Sequence, residues 1–519
     1  MHLDRDACYR ALTTRDARFD GQFFTAVRTT GIYCRPICPA RAPKLENIIF
    51  MPSAAAAQAA GFRPCLRCRP ETSPDLAAWH GTSSTVSRAM TLIATGALNN
   101  DDVDALAGRL GIGERQLRRL FQKHLGASPT AVAHTRRVLL AKQLITDTTL
   151  PMTEVALATG FGSVRRFNDT FQKLYGRPPR SLRRTTRGEA MDSAIILTLP
   201  FKPPYDWAAM VGFLGARAIR GVETLSDGVY ARSIGLDGAV GSISVRPAAE
   251  PRALIAAIRF PVVTALPAIV ARIRLMFDLG ADPAVIGAHL AEDPVMAPLV
   301  AARPGLRVPG AWDGFELSVR GILGQQITVR AAQALAGKLV AAYGVALPPT
   351  EDAGLTGLSH VFPSPERLAE AEDLATVLGM PRNRAASIVS LAKAAATDPR
   401  LFEPGRRLDE VIARLRALPG IGEWTAQYIA MRALHEPDAF PAADIGLLRA
   451  MATPQGRPTP AALLARAETW RPWRAYAALH LWASGPSAKS ATSGADQELL
   501  HETVPRAGPV ADRHDSAGL

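Results

Sequence analysis

The cysteines of this chain are few and clustered, which makes them the first candidates for chemistry. All five lie within the first 68 residues, and four form two close pairs separated by 26 residues, Cys34 with Cys38 and Cys65 with Cys68. Four thiolates in this arrangement are typical ligands of tetrahedral Zn²⁺, and so small a domain needs a metal to fold. The spacing predicts a zinc site, which could be purely structural. Cys8 has no partner and is predicted to be a small buried apolar residue.

The residues around the two pairs resemble the N-terminal domain of the adaptive-response (Ada) regulators. The resemblance covers residues 1 to about 75, through Thr-Thr-Gly-Ile-Tyr-Cys-Arg-Pro at 29–36 and Gly-Phe-Arg-Pro-Cys-Leu-Arg-Cys at 61–68. It implies that Cys34 both binds zinc and takes a methyl group irreversibly from a methylphosphotriester in DNA. A zinc-bound thiolate is deprotonated yet nucleophilic, so this displacement needs no general base. We also expect methylation to tighten DNA binding, because it removes negative charge that faces the DNA backbone.

A second set of candidates is basic and occurs in two similar segments about 50 residues apart. Each segment has a short apolar helix pattern, a glycine turn and a basic helix pattern, and Phe-Gln-Lys at 121–123 recurs at 171–173. This order is that of a helix-turn-helix, and residues 85–184 resemble the AraC-type DNA-binding domain. The resemblance places the second helix of each segment in the major groove. The candidate DNA-binding residues there are Arg115, Arg118, Arg119, Arg165 and Arg166.

The sequence Leu-Pro-Gly-Ile-Gly at 418–422 lies between two predicted helices and is a helix-hairpin-helix signature. Gly420 and Gly422 would let the backbone approach a DNA phosphate. The exposed amides of the following helix would bind that phosphate without sequence preference. The alternative is an ordinary glycine turn between packed helices.

Asp444 is the predicted catalytic carboxylate of this second half. It lies 22 residues beyond Gly422, in a segment that matches the loop and aspartate of the helix-hairpin-helix glycosylase superfamily. Breaking an N-glycosidic bond builds positive charge on the sugar, which a nearby carboxylate stabilises. Asp444 could also cap the next helix, and the two roles are compatible.

The residue at position 424 separates two chemistries within that superfamily. The lyase branch carries a Schiff-base lysine where this chain has Trp424, and without an amine no imine forms. The iron–sulfur branch is excluded because no cysteine follows Cys68. The sequence therefore predicts a monofunctional glycosylase.

Residues 191–484 resemble 3-methyladenine-DNA glycosylase II (AlkA type), through the stretches 320–326, 422–428 and 471–482. The resemblance implies a substrate pocket in which a flipped-out, cationic alkylated base is held by stacking and cation–π attraction. The implied pocket residues are Trp424, Tyr428, Trp482 and Gln326.

Two positions depart from the glycosylase pattern. The family can carry an aromatic residue directly after the catalytic aspartate and after the last pocket tryptophan, but this chain has Ile445 and Ala483 there. We therefore expect a roomier pocket, and the preferred damaged base is left open.

The elements that must position these residues predict a multidomain α+β protein. Its length suits several domains, and the apolar periodicity changes along the chain from mixed to helical, then to strand-like and back to helical. The tail is rich in Ser, Ala and Gly without apolar periodicity. The predicted parts are a small zinc-bound α/β domain (1–80), an all-α double helix-turn-helix domain (82–186), a β layer (191–264), an all-α helix-hairpin-helix glycosylase unit (265–484) and a disordered tail (485–519).

The net charge of +13 is confined to the first part of the chain. From residue 191 onward 32 basic residues balance 32 acidic ones. An excess of positive charge before that point suits a DNA-bound domain, with a solvated basic surface as the alternative. No signal peptide pattern and no run of 18 apolar residues is found, so we predict a cytoplasmic protein without a membrane partner.

Together the motifs predict a protein of the DNA alkylation response. It would combine methyl transfer to Cys34, sequence-specific transcription regulation and excision of alkylated purines of the 3-methyladenine type. The predicted partners are double-stranded DNA, both alkylated DNA and a promoter operator, and RNA polymerase, and the chain is predicted to be a monomer. Two alternatives remain open: a methylation-sensing regulator with a catalytically silent second half, and a repair enzyme without a promoter role.

Overall fold

The computed structural model describes residues 4–74, 84–100, 102–183, 194–250, 252–348, 355–403 and 407–484. The tail predicted to be disordered, 485–519, lies outside these ranges. Among the described residues no helix is both long enough and apolar enough to cross a bilayer. The described residues form four parts: the cysteine unit (4–74), the repeat unit (84–183), the sheet unit (194–262) and the helical unit (263–484).

The cysteine unit is a four-stranded sheet, in the order β3-β1-β2-β4, with two short helices. β1 pairs antiparallel with both β2 and β3, and β4 runs parallel to β2. All four residues of β1 are buried, as expected for the inner strand of so small a sheet. The elements are α1 (Arg5–Thr14), β1 (Phe24–Val27), β2 (Ile32–Cys34), β3 (Ile48–Met51), α2 (Ala54–Ala59) and β4 (Arg63–Pro64).

The repeat unit is entirely helical and contains the same supersecondary motif twice. In its order, the helices are α3 (Ser84–Ala94), α4 (Ala97–Asn100), α5 (Val103–Arg109), α6 (Glu114–Leu125), α7 (Pro129–Asp147), α8 (Met152–Ala158) and α9 (Val164–Tyr175). The pairs α5–α6 and α8–α9 are the two motifs, and the long helix α7 connects them. Both α6 and α9 end on a left-handed glycine, Gly126 and Gly176, which suits a residue without a Cβ.

The same helical spacing fills the core in both motifs. α6 buries Leu117, Phe121 and Leu125, and α9 buries three aromatic residues at the equivalent positions, four residues apart. This spacing places the apolar side chains on one helix face and leaves the basic ones on the other. The repeat predicted from the sequence is therefore a structural repeat.

The sheet unit is a five-stranded antiparallel sheet in the order β5-β9-β8-β7-β6. Its strands are β5 (Ile195–Pro200), β6 (Glu223–Ser226), β7 (Val229–Leu236), β8 (Ala239–Pro247) and β9 (Ala253–Arg259). The helix α10 (Trp207–Gly215) lies between β5 and β6 in the chain. β6 to β9 pair in chain order and form a meander, whereas β5 pairs with β9 and is joined through α10 to β6 at the opposite edge.

The helical unit supplies the elements that surround the second predicted site. Its helices are α11 (Leu266–Met276), α12 (Pro283–Leu290), α13 (Met296–Ala302), α14 (Gly314–Leu323), α15 (Val329–Tyr343), α16 (Pro365–Ala369), α17 (Leu374–Leu378), α18 (Arg382–Thr397), α19 (Leu408–Arg416), α20 (Glu423–Arg432), α21 (Ile445–Ala450), α22 (Pro460–Arg466) and α23 (Arg474–Ser484). A minimal pair of strands, β10 (Val345–Ala346) and β11 (His360–Val361), is an addition to the predicted all-α pattern. Two residues per strand are too few to leave a periodic signal in the sequence.

The hydrophobic cores do not follow the predicted domain boundaries. One cluster of buried side chains is formed within the helical unit and the neighbouring end of the sheet unit. A second cluster is continuous from the repeat unit, through Val138 and Phe167, into the sheet unit, through Leu197 and Tyr230. The multidomain α+β class predicted from the sequence is confirmed, but the second and third parts share one core, to which α11 of the helical unit also contributes.

Candidate functional site

Four cysteine sulfurs meet beside β2 and β4 of the cysteine unit. Cys34 ends β2, and Cys65 directly follows β4, where its N–H donates to the Tyr33 carbonyl at 3.0 Å. The four Sγ atoms, those of Cys38 and Cys68 included, all lie within 4.8 Å of one another. Soft thiolate donors at this separation fit Zn²⁺, and these four residues would hold it.

The surroundings of the cluster favour thiolates and leave one of them accessible. The backbone N–H of Arg35 donates to Cys68 Sγ at 3.3 Å, and the N–H of Arg67 donates to Cys65 Sγ at 3.4 Å. Such bonds stabilise negative charge on sulfur. Of the four cysteines, Cys34 alone is partly exposed, and the other three are buried.

Cys8 lies apart from this cluster. It is buried among the apolar side chains of α1 and the neighbouring aromatic residues, as predicted. Burial, with a smaller contribution from Asp4, raises the pKa of the Cys8 thiol to about 11. A thiol that stays protonated at neutral pH is a poor nucleophile, so Cys8 is a packing residue.

The loop that carries the second cysteine pair is anchored to the repeat unit, a contact that sequence reasoning missed. The buried Lys142 of α7 donates from Nζ to the Cys65 carbonyl at 3.1 Å and to Glu71 Oε2 at 2.7 Å. Arg69 in the same loop donates to Asp147 of α7 at 2.6 Å. The position of two predicted zinc ligands therefore depends on a helix of the next unit.

The five predicted DNA-binding arginines all lie on the exposed faces of α6 and α9. On α6, Arg118 forms an ion pair with Glu114 one turn earlier, and on α9 the Arg165 side chain is 92% exposed. Ser163 caps α9 by accepting the N–H of Arg166 at 3.2 Å, which fixes where the helix begins. The two helices thus present basic faces that are exposed in the described part of the chain. Which arginine contacts a base stays a prediction.

The predicted hairpin connects α19 to α20. Gly420 has a φ of 80°, and a Cβ there would lie 2.4 Å from the Ser387 hydroxyl oxygen, so only glycine fits. Gly422 is exposed and is the N-cap of α20, so it has no side chain to bond the first amides of that helix. The Gln325 side chain donates to the Gly420 carbonyl at 2.7 Å and ties the hairpin to the end of α14. Both glycines are therefore placed where a phosphate can approach the backbone.

Asp444 is the N-cap of α21, and its carboxylate accepts hydrogen bonds from three donors. Its Oδ1 accepts the N–H of Leu447 at 3.0 Å and the indole N–H of Trp482 at 2.8 Å. Its Oδ2 accepts the indole N–H of Trp424 at 2.8 Å. The cap and the candidate catalytic position are thus one residue, and its carboxylate is fixed in orientation between two aromatic side chains.

Three of the four predicted pocket residues are assembled around that carboxylate. The ring of Tyr428 stacks on that of Trp424, with centroids 5.1 Å apart and planes at 11°. Trp482 is brought to the same carboxylate by α23, and a Cβ on Gly446 would lie 3.3 Å from its ring. Aromatic faces beside a half-buried carboxylate form a site suited to a flat, positively charged group.

Gln326, the fourth, lies in the exposed loop between α14 and α15 with a φ of 58°. Among the described residues no hydrogen bond joins it to the pocket, whereas its neighbour Gln325 bonds the hairpin. Its place in the substrate pocket stays a prediction. The roomier pocket expected from Ile445 and Ala483 also stays a prediction. Ile445 is 37% exposed, and Ala483 is half-buried.

Four family models match successive parts of the chain. The metal binding domain of Ada matches residues 7–71, and a helix-turn-helix domain matches 106–185. The AlkA N-terminal domain matches 196–313. The HhH-GPD superfamily of base excision DNA repair proteins matches 319–475.

Some relatives match almost the whole chain. The probable bifunctional transcriptional activator/DNA repair enzyme AlkA of Mycobacterium tuberculosis is 43% identical over 490 residues, which are 93% of this chain and 97% of that protein. The chain belongs to this family of bifunctional transcriptional activator/DNA repair enzymes. The predicted fusion, with its zinc cofactor and with DNA as its partner, is confirmed.

Two further relatives each match one half of the bifunctional enzyme. DNA-3-methyladenine glycosylase 2 of Escherichia coli is 36% identical over 286 residues, 55% of this chain and 96% of that protein. The bifunctional transcriptional activator/DNA repair enzyme AdaA of Bacillus subtilis is 30% identical over 186 residues, 36% of this chain and 85% of that protein.

Sequence reasoning missed two arginines that flank the pocket of this enzyme. Arg432, one turn after Tyr428 on α20, donates to the Tyr428 hydroxyl oxygen at 2.5 Å. Arg217, two residues after the end of α10, stacks on Phe213 at 3.8 Å, and Arg432 stacks on the same ring at 4.7 Å. Burial opposes ionisation of the phenol, but Arg432 and Arg217 together hold the pKa of Tyr428 below its ordinary value. The four-residue spacing signals Arg432, whereas Arg217 comes from the sheet unit and leaves no local signal.

Proposed function

We propose that this enzyme carries out two repair reactions on alkylated double-stranded DNA and couples them to promoter recognition. The helical unit excises alkylated purines of the 3-methyladenine type. Cys34 takes a methyl group irreversibly from a methylphosphotriester. The repeat unit binds a promoter operator.

The glycosylase assignment rests on one observation, the carboxylate of Asp444 held between Trp424 and Trp482. A cationic alkylated base can stack against the aromatic faces while its sugar lies at the carboxylate. When the N-glycosidic bond breaks, its electrons leave with the base, which departs neutral, and positive charge develops on the sugar. Asp444 stabilises that charge, and a water molecule then adds to the anomeric carbon with loss of a proton.

The hydrogen bonds to Asp444 indicate how this residue acts in the reaction. Each carboxylate oxygen accepts an indole N–H at 2.8 Å, so the carboxylate is fixed in orientation. We infer that Asp444 acts chiefly through its charge and position. Because residue 424 is a tryptophan, no amine is available there for an imine, so the product is an abasic site without strand cleavage.

The methyl transfer is assigned to Cys34 because it is the partly exposed member of the cluster. Bound zinc keeps the thiols ionised at neutral pH. The Cys34 sulfur donates an electron pair to the methyl carbon, the carbon–oxygen bond breaks, and its electrons remain on the phosphate oxygen as an ordinary phosphodiester. The thioether product is stable, so each chain reacts once.

The regulatory role is supported by the two basic helices, which carry the five arginines on faces free to enter successive major grooves. We propose that the operator-bound protein contacts RNA polymerase and acts as a monomer, since two recognition helices are already present in one chain. The free cysteines suit the reducing cytoplasm, where we place the protein.

The glycosylase is tested by the release of free 3-methyladenine and 7-methylguanine from methylated duplex DNA. We expect Asp444→Asn to lower the single-turnover rate by about 10²- to 10³-fold, because the charge that stabilises the sugar is lost. Glu372→Gln, an equivalent change at an exposed position of the helical unit, should leave the rate unchanged. Absence of release by the unsubstituted enzyme would contradict the proposal and favour a regulator with a silent second half.

The assignment of Cys34 as the methyl acceptor is tested on the unsubstituted, zinc-replete enzyme, because substitution of a zinc ligand could unfold the cysteine unit. After reaction with DNA that carries labelled methylphosphotriesters, peptide mapping should find the label on Cys34. The buried Cys8, whose pKa is raised, should carry none. Label on Cys38, Cys65 or Cys68 instead of Cys34 would overturn the assignment.

A further inference from the structure

Among the described residues, two ion pairs join the repeat unit to the helical unit across a cleft of about 1340 Å³. Arg88 of α3 binds Glu436 with a distance of 2.8 Å between Nε and Oε1, and Arg109 of α5 binds Glu403 at 2.9 Å. The two pairs differ in burial. The side chains of Arg88 and Glu436 are 10% and 7% exposed, whereas those of Arg109 and Glu403 are 14% and 36% exposed.

Arg88 projects from a helix that belongs to the core of the repeat unit. Its neighbours on α3, Val86 and Ala89, are fully buried in the same cluster as Leu117 and Phe121 of α6. α3 is therefore fixed to the first candidate recognition helix by packing. Arg88 itself crosses to a carboxylate 348 residues further along the chain.

Glu436 lies in the segment between α20 and α21, which begins after the pocket helix and ends at Asp444. Its N–H donates to the Ala430 carbonyl of α20 at 3.0 Å, and its own carbonyl accepts the N–H of Ala439 at 3.1 Å. Burial raises the pKa of the Glu436 carboxyl, and the neighbouring Arg88 opposes that rise. The carboxylate is thus a buried charge whose cation comes from another unit.

The segment around Glu436 is bonded to both helices that carry the pocket tryptophans. The N–H of Phe440 donates to Gln427 Oε1 on α20 at 3.0 Å. The N–H of Ala475 on α23 donates to the Pro437 carbonyl at 2.9 Å. Glu436 therefore lies where α20, α23 and the segment leading to Asp444 come together.

We propose that Arg88 is a positioning residue for base excision: by neutralising Glu436 it holds the segment that ends at Asp444 and the two helices bonded to it. The rate of excision then depends on a side chain of the regulatory half. The inference rests on the proposed glycosylase function. Its physical basis is that a buried carboxylate without its cation forces the surrounding backbone to move or to admit water.

The test uses the full-length, zinc-replete chain and compares Arg88→Met with Arg109→Met. Both substitutions remove an interdomain cation and keep a long apolar side chain. Only Arg88, however, contacts the segment that ends at Asp444. We expect Arg88→Met to lower the single-turnover rate of 3-methyladenine release by about ten- to a hundred-fold, since small displacements of reacting groups have effects of this size. Affinity for duplex DNA that carries the lesion should change by less than about two-fold, because no DNA-binding group is touched. Arg109→Met should retain both the rate and the affinity.

Glu436→Gln provides a second, more conservative variant, which carries the test if Arg88→Met does not accumulate as folded protein. It should also slow release, and the doubly substituted protein should be no slower than Arg88→Met alone, since the two residues act as one unit. If Arg88→Met and Arg109→Met slow release equally, the effect comes from weaker contact between the two units in general, and the proposal is wrong. Additive losses, or an unchanged rate in Arg88→Met, would overturn it as well. Asp444→Asn, measured in the same experiment, separates the glycosylase proposal from the positioning proposal. If Asp444→Asn slows release of 3-methyladenine and Arg88→Met does not, the glycosylase proposal stands and only the positioning role of Arg88 is wrong.

Discussion

The carboxylate of Asp444 both caps a helix and accepts hydrogen bonds from two tryptophan side chains. It caps α21 through the N–H of Leu447, which any aspartate at this position could do, and it is held on both oxygens by indole N–H groups, which only this tertiary arrangement provides. At the residue scale the helical unit therefore uses aromatic side chains in two ways. Their faces would line the proposed substrate pocket, and the N–H groups of Trp424 and Trp482 orient the carboxylate.

Asp278 is a buried carboxyl group of the helical unit, and we expect it to affect stability. Its Oδ2 accepts the hydroxyl of Tyr476 at 2.9 Å and the N–H of Val308 at 3.2 Å. Burial raises the pKa of Asp278 to about 7, and Arg307 opposes that rise. The folded protein thus holds a proton on this group over a pH range in which the unfolded chain has lost it.

The expected consequence is a pH dependence of stability carried by Asp278. Its contribution is complete below the ordinary carboxyl pKa of about 4 and is lost as the pH rises through about 7. The melting temperature of the unsubstituted protein should therefore fall from pH 5 to pH 8 relative to that of Asp278→Asn, which cannot titrate. Glu372→Gln, at an exposed position, serves as the control and should follow the unsubstituted protein. Parallel profiles for the unsubstituted protein and Asp278→Asn would show that the carboxyl is ionised throughout.

At the scale of elements, α7 is the helix on which the other parts converge. It joins the two helix-turn-helix motifs, and Val138, Ala141, Leu144 and Ile145 are completely buried. Its polar side chains point into neighbouring units: the Gln143 amide donates to the Thr198 carbonyl of β5 at 2.8 Å. A helix buried on several faces loses its amphipathic signal, so its interdomain role is not visible as periodicity.

Lys142 of α7 should control how firmly the cysteine unit holds its metal. Its ammonium group neutralises the buried Glu71 and donates to the carbonyl of the zinc ligand Cys65. We expect Lys142→Met to speed transfer of zinc to a chromogenic chelator by about ten-fold or more, since groups that orient metal ligands have effects of this order. Lys123→Met, at an exposed position of α6, should release zinc at the unsubstituted rate. Equal release rates for all three proteins would show that the Cys65 loop holds its shape without α7.

At the scale of the whole molecule, the two halves are joined by a hydrophobic core and by buried charges. The cluster that contains Phe171 of α9 continues into Leu199 of β5, and Arg88 reaches Glu436 in the helical unit. The regulatory and repair activities thus share structural elements. The basic excess of the first 190 residues accords with this arrangement, because it places the long-range attraction for DNA on the part that carries the recognition helices.

The sequence by itself determined those features whose physical cause is local. Two close cysteine pairs define a metal ligand set, Gly420 and Gly422 define a turn with its following helix start, and the recurring Phe-Gln-Lys reports a duplicated motif. In each case the interacting residues are near one another in the chain, or their chemistry restricts them to one kind of partner.

Only the tertiary structure decided the contacts between distant segments. Arg217, Lys142 and Arg88 are ordinary basic residues in the sequence, and each has its role because folding places it against Tyr428, Glu71 or Glu436. Gln325 and Gln326 are adjacent residues of the same type, yet the backbone conformation directs only the Gln325 side chain towards the hairpin. The physical reason is that charge pairing and packing depend on distance in space, and helices of similar sequence can be brought together in many ways until their cores are packed.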